Sequence, residues 1–546
     1  MKIGVIVDDM KVARWQLSAL GTVSSSDQII LYNCRNSRSG KRQLKHALYY
    51  ALNLVSVRTP LTRLVPLGPI LARALRTVDF DSEYEGIWQR LPASLLDEIA
   101  RDRPDVILKF GLNLLRVPPP DRLAAPILSY HHGDPEHYRG RPAGFWELLH
   151  GRPVVGQMVQ ILSDRLDAGA VVAYAETKAY AHSWRATLME AYRASPLILR
   201  RAIENAAAGT RLAKPVGGRN YRLPGNATAL HFCARMARAT ASRLIYGALR
   251  EKRWQVSTAG ADAEALLAAD GPGFPPRTEW RSLACPRGYT FLADPFFAPE
   301  GEAILAEALN ARTGKGEILR LGDGAPPLRL SNPSCHYSYP AAVEEQGSVY
   351  VVPETVFWSA PLAYPWRSES WSEARPLDVA GAPRLIDPTF FRHESGLYLF
   401  ANVFEEGSGI LRLWRAPSLF ARFAEHPASP IRITPAGSRM AGEIVRLAGG
   451  HARLGQDDSG GYGDGLIVFR IDELTPERYR ETPVRTLRFA GVRGPHTLNF
   501  RGGTALFDWY RDGFSLLAGV RRLRGRRHNS SGLGVVSAPS TKGQNL

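Results

Sequence analysis

The sequence has few cysteines and lacks a long apolar run. Its four cysteines, Cys34, Cys233, Cys285 and Cys335, are too scattered for a zinc site and too few for a disulfide framework in 546 residues. We therefore expect buried, reduced thiols and no metal site. No run reaches the roughly eighteen apolar residues of a membrane span, and charges stand at positions 8, 9 and 11, where a signal peptide needs its apolar core. This predicts a cytoplasmic protein.

The first half also lacks the G-x-G-x-x-G turn of dinucleotide-binding sheets. It nevertheless alternates strand and helix patterns. Residues 3–7 and 28–32 are predicted strands, 12–20 an amphipathic stretch, 95–101 a helix and 106–110 a buried parallel strand. The length of the chain favours two or three domains. We predict an open α/β sheet for its first part.

From about residue 285 the pattern changes to short strands separated by turns. A degenerate unit of strand, glycine-containing turn and strand begins near Asp294, Pro340, Asp387, Gly442 and His496. These starts are 46 to 55 residues apart, the length of a four-stranded propeller blade. The second part is therefore predicted to be an all-β, five-bladed β-propeller.

These patterns predict four segments: an α/β domain over 1–205, a linker with a basic helix over 206–265, the propeller over 266–515 and a basic, disordered tail over 516–546. The helix, expected over 227–250, should bury Leu230, Phe232, Met236 and Ile245. The net charge of +17 suggests an acidic partner. The one dense cluster, Arg521 to Arg527, indicates either a solvated tail or peripheral contact with an anionic membrane.

Three segments of the first part carry a motif. They are 104–111 (PDVILKFG), 129–140 (SYHHGDPEHYRG) and 165–169 (RLDAG). In order and spacing they resemble the formyltransferase family, which includes methionyl-tRNA, glycinamide ribonucleotide and sugar N-formyltransferases. The resemblance covers about residues 1 to 205 and implies a Rossmann-like formyltransferase domain that uses 10-formyltetrahydrofolate as its donor cosubstrate.

The resemblance also assigns roles to residues. An amine that attacks a formyl carbon forms an oxyanion and must lose a proton. By resemblance, His131 stabilises or protonates the oxyanion and Asp167 orients the histidine and helps to take the amine proton. The loop residues that match the folate-binding loop of the family are Gly111, Leu112, Asn113 and Leu115.

Ser129 departs from the family, which has asparagine two residues before the histidine. A hydroxyl has one donor and a shorter reach than an amide, so the oxyanion site is altered. Four interpretations stay open: formyl transfer with a modified site, transfer of a different acyl or one-carbon group, an inactive relic, and a purely structural His131.

The second part resembles the family-43-type glycoside hydrolase propeller and, more closely, the propeller domain at the N-terminus of glucosamine inositolphosphorylceramide transferase. One polar cluster per blade suits a pocket at the propeller axis. Three interpretations stay open: a glycan-binding pocket, structural turns, and hydrolysis with Asp294, Asp387 and Glu354 as base, modulator and acid. The candidate glycan-binding residues are Asp294, His336, Glu354, Asp387, Gln456, Asp457 and His496.

The sequence leads to two main hypotheses. The first is a formyltransferase-like enzyme that acts on the amino group of a sugar nucleotide or glycoconjugate precursor, with a glycan-binding propeller. The second is a glycoside hydrolase or glycan-binding propeller joined to a non-catalytic formyltransferase-like domain. Nucleic acid is an unlikely partner by resemblance, because a tRNA formyltransferase would have a small C-terminal β-barrel where this chain has a propeller.

Overall fold

The computed structural model describes residues 1–37, 43–322, 328–332, 335–355, 360–367, 370–371, 374–381, 383–394 and 396–522. The chain divides into two compact units, Met1–Arg243 and Leu244–Leu546. The first is an α/β unit and the second an all-β unit. The predicted fold class, an open α/β sheet followed by a five-bladed propeller, is confirmed.

The described residues of the first unit form thirteen strands, six α-helices and the larger part of a seventh, α7. The strands are β1 (Lys2–Asp8), β2 (Lys11–Ala13), β3 (Gln28–Cys34), β4 (Leu64–Pro66), β5 (Ala74–Phe80), β6 (Glu83–Glu85), β7 (Trp88–Arg90), β8 (Val106–Lys109), β9 (Ile127–His131), β10 (Tyr138–Gly140), β11 (Val154–Ile161), β12 (Ala170–Lys178) and β13 (Arg219–Tyr221). The helices are α1 (Arg14–Leu20), α2 (Ala47–Ser56), α3 (Gly68–Leu71), α4 (Ala93–Asp102), α5 (Phe145–His150), α6 (Trp184–Ala207) and α7 (Asn226–Leu249).

Five parallel strands form the centre of the main sheet, in the order β5-β3-β1-β8-β9, and β11 and β12 continue it as an antiparallel hairpin. The β1 and β8 side chains are almost wholly buried, as expected for parallel strands covered on both faces. On one face, Ile107 and Ile127 pack with Leu95 and Ile99 of α4. The carboxyl ends of β8 and β9 therefore lie side by side.

The segment 206–265, predicted as a linker, is instead divided between the two units. Its residues up to Arg243 belong to the first unit and those from Leu244 to the second. Its β13 pairs in parallel with β10, and Phe232 of α7 stacks on Phe145 at 4.1 Å. Leu230 and Ile245 of the same helix are exposed, contrary to prediction. The apolar stripe of α7 is thus narrower than its sequence pattern suggests.

The described residues of the second unit contain the remaining strands, the end of α7, the short helix α8 (Ala263–Leu267) and helical residues at 518–522. The strands are β14 (Arg250–Gly260), β15 (Arg281–Ser282), β16 (Tyr289–Phe297), β17 (Ile304–Asn310), β18 (Gly316–Leu321), β19 (Leu328–Leu330), β20 (Ser338–Glu345), β21 (Ser348–Glu354), β22 (Leu362–Arg367), β23 (Ser370–Trp371), β24 (Arg375–Pro376), β25 (Leu385–His393), β26 (Gly396–Val403), β27 (Ile410–Ala416), β28 (Ala424–Glu425), β29 (Arg432–Ile433), β30 (Ala436–Met440), β31 (Val445–Leu447), β32 (Gly450–Asp457), β33 (Leu466–Leu474), β34 (Tyr479–Leu487), β35 (Leu498–Arg501) and β36 (Thr504–Phe514).

These strands form five antiparallel sheets, which are the five blades. The last blade combines β14 from the start of the unit with β36 from its end, and they pair from Arg250↔Phe514 to Gly260↔Thr504. The propeller therefore begins at residue 250, inside the predicted linker, and not at 266. This antiparallel sheet, built from both ends of the unit, closes the ring of blades.

A β-bulge recurs in the first strand of three successive blades. Asp294, Tyr339 and Asp387 each have a left-handed backbone, with φ of 46°, 48° and 48°, and each precedes a proline at a register shift. Bulges of this kind redirect side chains and bend a strand. The Asp-Pro pairs that the sequence suggested as turns are thus bulges inside strands.

The basic cluster is only partly described. Arg521 donates to Glu251 at 3.0 Å, and Arg522 donates to the Tyr246 carbonyl at 3.2 Å. The prediction of a disordered tail over 516–546 was therefore wrong for 516–522, which include helical residues at 518–522, while 523–546 lie outside the described residues. Cys34 and Cys335 are buried as predicted, whereas Cys285 is exposed. Within the described ranges no helix is both long and apolar enough to cross a membrane.

Candidate functional site

The α/β unit brings His131 and Asp167 together at the carboxyl end of its sheet. His131 ends β9 and is 6% exposed, and its Nδ1 lies 3.4 Å from Oδ2 of Asp167. Asp167 has a left-handed backbone, with φ of 46°, in the loop before β12. Its Oδ2 also accepts the backbone N–H of Gly140 at 2.9 Å. A loop conformation and a backbone donor therefore hold the carboxylate beside the imidazole.

The second ring nitrogen of His131 is committed to the backbone. Nε2 lies 2.9 Å from the carbonyl oxygen of Tyr138, and because a carbonyl can only accept, Nε2 carries the hydrogen. Gly133 lies against this contact, since a Cβ there would meet Nε2 at 2.6 Å. In this geometry the Nε2 hydrogen of His131 is donated to the backbone carbonyl of Tyr138.

Ser129 lies on the same sheet face as His131, two residues earlier in β9. Its register partners are Lys109 of β8 and Gln160 of β11. Gln160 donates to Oδ1 of Asp167 at 3.5 Å and accepts the N–H of Gly169 at 2.8 Å. The candidate site therefore contains an amide and a lysine that sequence reasoning missed.

The loop predicted to bind folate begins at the end of β8. Gly111 is required there, because a Cβ would lie 2.5 Å from Oδ1 of Asp8. Leu112 has φ of 56° and donates its N–H to Asp8 at 3.1 Å. Leu112 and Leu115 are both buried in the core, whereas Asn113 is exposed. The two leucines support the loop from within, and Asn113 faces outward.

In the propeller, Asp294 and His496 form one buried cluster with Asp508. Nδ1 of His496 lies 3.2 Å from Asp294 and 3.1 Å from Asp508. Burial opposes a charge on this imidazole, but Asp508 and Asp294 outweigh it and raise the pKa of His496 to about 10. Thr497 adds a hydrogen bond to Asp294 at 2.8 Å. An imidazolium therefore joins the first and last blades.

Asp387, Glu354 and Gln456 form a second cluster around Arg439. The Arg439 Nη2 lies 3.2 Å from Asp387, which is fully buried, and 3.8 Å from Glu354. Gln456 donates to Asp387 at 2.9 Å, and Glu354 accepts the backbone N–H of Asp387 at 3.0 Å. Burial and the Asp387 charge raise the pKa of Glu354 well above its ordinary value. Glu354 is thus harder to ionise than an exposed glutamate.

The other two candidates have different partners. His336 lies 3.1 Å from Glu307; burial lowers the pKa of this histidine, but Glu307 outweighs it and the net shift is upward. The carboxylate of Asp457 accepts a hydrogen bond from the Arg488 guanidinium at 2.5 Å and another from the backbone N–H of Ser459 at 3.2 Å. The structure thus gives Asp457 a turn-stabilising position and joins it to neither central cluster by a described hydrogen bond.

An aromatic side chain lies over the two central clusters. Tyr462 is 38% exposed, its ring centre is 4.8 Å from that of His496, and the Arg439 guanidinium lies 5.2 Å from it. Two buried polar atoms of these clusters, Nε2 of His496 and Oε1 of Gln456, have no hydrogen-bond partner among the described residues. One can donate and the other can accept.

Sequence reasoning missed Glu307, Arg439 and Asp508. Asp508 interrupts the apolar run ALFDWY, and Glu307 interrupts ILAEAL. A charge inside a buried strand is a usable signal, because such a group needs a partner. Arg439 gives no comparable signal, since the chain is rich in arginine.

The fold and the clusters define a two-unit protein: an open α/β sheet with a histidine–aspartate pair, and a propeller with buried ion clusters formed by residues in and beside its strands. Residues 286–499 match the family model of glucosamine inositolphosphorylceramide transferase 1, N-terminal. This part of the propeller is similar to that domain, as the sequence predicted.

Two curated relatives carry the same name. The one from Oryza sativa subsp. japonica is 27% identical over 215 residues, which cover 36% of this chain and 28% of the relative. The one from Arabidopsis thaliana is 26% identical over 231 residues, which cover 38% and 29%. The chain thus spans less than a third of the length of these relatives.

Two solved structures are also similar. Glycinamide ribonucleotide transformylase 1 from Symbiobacterium toebii is 18% identical and covers 38% of this chain and 88% of its own, with a TM-score of 0.24. The N-formyltransferase from Helicobacter canadensis, in complex with folinic acid and dTDP-3-aminofucose, is 8% identical and covers 43% and 80%, with a TM-score of 0.27.

Proposed function

We propose that this protein is a transferase of saccharide metabolism that moves a formyl group from 10-formyltetrahydrofolate to an amino group of a sugar nucleotide or glycoconjugate precursor, and that its propeller binds a glycan. The observation that carries the proposal is the pairing of His131 with Asp167, 3.4 Å apart at the carboxyl end of the sheet. Ligands of open α/β sheets bind at this edge.

The proposed reaction is an acyl transfer. The acceptor amine attacks the formyl carbon, the carbonyl oxygen becomes an oxyanion, and the amine loses a proton to the pair of Asp167 and His131. The bond from the formyl carbon to N10 of the folate then breaks, and N10 takes up the proton. Tetrahydrofolate and a formamide are the products, so atoms and charge balance.

For the propeller we propose binding and not hydrolysis. Hydrolysis needs two carboxyl groups that both reach a glycosidic bond, whereas Asp294 and Asp387 are 3% and 0% exposed and each is ion-paired. A sugar would instead stack on the ring of Tyr462, which is 38% exposed, and this contact needs no access to the buried carboxylates. The relatives' name, which contains glucosamine and an inositol phosphate, also favours a glycoconjugate ligand.

The second candidate is a glycan-binding propeller with a non-catalytic α/β unit. The hydrogen bond from Nε2 of His131 to Tyr138 favours it, because this donor would otherwise be directed at substrate. The two candidates differ in one measurable property, which is turnover of the folate donor.

The decisive experiment is mass spectrometry of UDP- and dTDP-amino sugars incubated with the protein and 10-formyltetrahydrofolate. We expect the gain of one formyl group. Asp167→Asn keeps the shape of the side chain and should lower the rate about 10²-fold or more, whereas Asp164→Asn, at an exposed position of the same loop, should not. No product with any acceptor and no folate binding by calorimetry at millimolar concentration would sink the proposal.

Glycan binding is tested on an array. Tyr462→Ala should weaken binding at least tenfold, while Phe404→Ala, which removes another exposed aromatic ring of the propeller, should leave it unchanged. We choose Tyr462 and not Asp294, because loss of Asp294 would also remove one of the two carboxylates that pair with buried His496. Equal glycan binding by the two variants would contradict a glycan-binding pocket at Tyr462.

A further inference from the structure

Lys109 is the last residue of β8, and its side chain lies on the face of the sheet that carries Ser129 and His131. Its register partner in the parallel strand β9 is Ser129, and paired residues of adjacent strands project to the same face about 5 Å apart. Ile107, two residues earlier, packs on α4 with Ile127, which fixes that face. The amine of Lys109 is therefore on the side of Ser129 and His131.

One backbone carbonyl accepts a hydrogen bond from this amine, and two carboxylates act on it electrostatically. Nζ of Lys109 donates to the carbonyl oxygen of Asn113 at 3.3 Å. Burial lowers the pKa of Lys109 to about 8, although Asp8 and Asp167 act in the opposite direction. An ammonium has three donors, so one bond to Asn113 leaves donors for a ligand. The lysine is a partly desolvated cation beside the proposed reacting centre.

The proposed transfer needs such a donor. The oxyanion of the tetrahedral intermediate requires preorganised hydrogen bonds, yet Ser129 replaces the amide that the resemblance led us to expect. In addition, the Nε2 hydrogen of His131 is bonded to Tyr138. The Nε2 donor of His131 is thus engaged, and Ser129 offers only one hydroxyl donor on a shorter side chain than that of asparagine.

We propose that Lys109 is a catalytic residue whose Nζ donates a hydrogen bond to the oxyanion, in the role that the missing asparagine amide would have had. This rests on the proposed formyl transfer and specifies how the site performs it. The lysine keeps its proton throughout: the oxyanion forms as the amine attacks and disappears when the carbonyl is restored and the bond to N10 breaks. No additional reactant is needed.

The test uses the full-length protein and a reaction that needs no known acceptor. Water can replace the amine as nucleophile and hydrolyse 10-formyltetrahydrofolate to tetrahydrofolate and formate through the same oxyanion. Lys109→Met keeps the length of the side chain without the charge, and we expect kcat to fall about 10²- to 10³-fold with folate affinity unchanged. Lys11→Met removes an exposed lysine of the same unit and should leave both unchanged.

Rescue separates a catalytic role from a structural one. Ser129→Asn restores the family's amide, so it should raise the rate of Lys109→Met at least tenfold while changing the wild type little. Such non-additivity is expected when two groups fill one role. If Lys109→Met and wild type hydrolyse and transfer formyl at the same rate, Lys109 is not the donor, and the proposed function still stands.

The pH profile gives an independent readout. Asp8 and Asp167 are the charged groups that act on Lys109, and a donor must be protonated, so kcat should fall as pH rises through about 8. In Lys109→Arg that fall should disappear. A rate that instead rises through pH 8 would make Lys109 a base and overturn the inference. A wild type that neither transfers nor hydrolyses formyl would overturn the proposed function and this inference with it.

Discussion

Arg439 shows how the propeller tolerates buried charge. It lies between Asp387, which is fully buried, and Glu354, and its guanidinium also faces the ring of Tyr462. A buried ion pair contributes little net stability compared with an apolar pair, but loss of one partner leaves an uncompensated charge. The cluster is therefore sensitive to removal of any single member.

This sensitivity leads to the first prediction. Arg439→Met should lower the free energy of unfolding by about 3–5 kcal/mol, because it leaves Asp387 buried without its cation. Urea denaturation followed by tryptophan fluorescence measures the change. Arg470→Met, which removes a largely exposed arginine beside Asp472, should cost less than about 1 kcal/mol. Equal effects of the two variants would mean that the cluster is not buried in solution.

His496 makes propeller stability depend on pH. Its pKa in the folded protein, about 10, lies above the ordinary value of 6.5, so folding favours the protonated form. The contribution is fully present below pH 6.5 and is lost as pH rises through about 10, and it amounts to at most about 5 kcal/mol. Stability should therefore decrease between pH 7 and pH 10.

The second prediction is that His496→Asn is less stable than wild type at pH 6 and loses most of this decrease. Urea midpoints at pH 6, 8 and 10 measure it. His393→Asn alters a partly exposed histidine of the same unit and should retain the wild-type slope. A wild-type midpoint that stays constant from pH 6 to pH 10 would contradict the assignment of an imidazolium.

At the scale of elements, β14 determines where the propeller begins. It pairs with β36 along its whole length, and Val256 in its middle is fully buried. Without β14, one edge of β36 would present unpaired backbone groups, which favour aggregation. The strand is therefore part of the fold even though it precedes the recognised repeat.

The third prediction compares two fragments. Residues 244–522 should fold and unfold cooperatively on heating, because they retain β14. Residues 266–522 should aggregate or lack a cooperative transition, because their fifth blade is incomplete. Circular dichroism and size-exclusion chromatography distinguish these results. A stable, monomeric 266–522 fragment would show that ring closure does not need the strand.

At the scale of the whole molecule, the main electrostatic feature is the net charge of +17. Residues 516–546 contain six lysines and arginines and no acidic residue. Attraction of such a segment to an anionic surface is screened by salt, with a Debye length of about 10 Å at 0.1 M. Any contact with a membrane through this segment would thus be peripheral and salt-dependent.

The fourth prediction concerns this contact. The full chain should co-sediment with vesicles that contain phosphatidylserine at 20 mM salt and be released at 0.5 M salt. A chain ending at Arg522 should bind more weakly, because it lacks the remaining basic residues. Vesicles of phosphatidylcholine alone are the control. Binding that survives 0.5 M salt would exclude an electrostatic contact.

Much of the architecture followed from sequence because its signals are local. Apolar runs and a helical period located β1, β3, α4 and β8. The repeat length indicated propeller blades, and the five copies of the repeat indicated their number. The boundary of the propeller did not follow, because β14 lies outside the repeat and pairs with a strand about 250 residues away. The predicted burial of Leu230 and Ile245 in α7 was wrong for a similar reason. Helical periodicity does not tell how much of a helix surface is covered by other elements.

The sequence by itself determined the two-part architecture, the resemblances and the identities of His131, Asp167 and Ser129, because these depend on composition, order and spacing along the chain. Only the tertiary structure decided the partners: Tyr138 for His131, Lys109 beside Ser129, Arg439 for Asp387 and Asp508 for His496. The reason is physical. Strand register and ring closure bring together residues that are distant in sequence, and a buried charge is stabilised by whichever partner the fold places next to it.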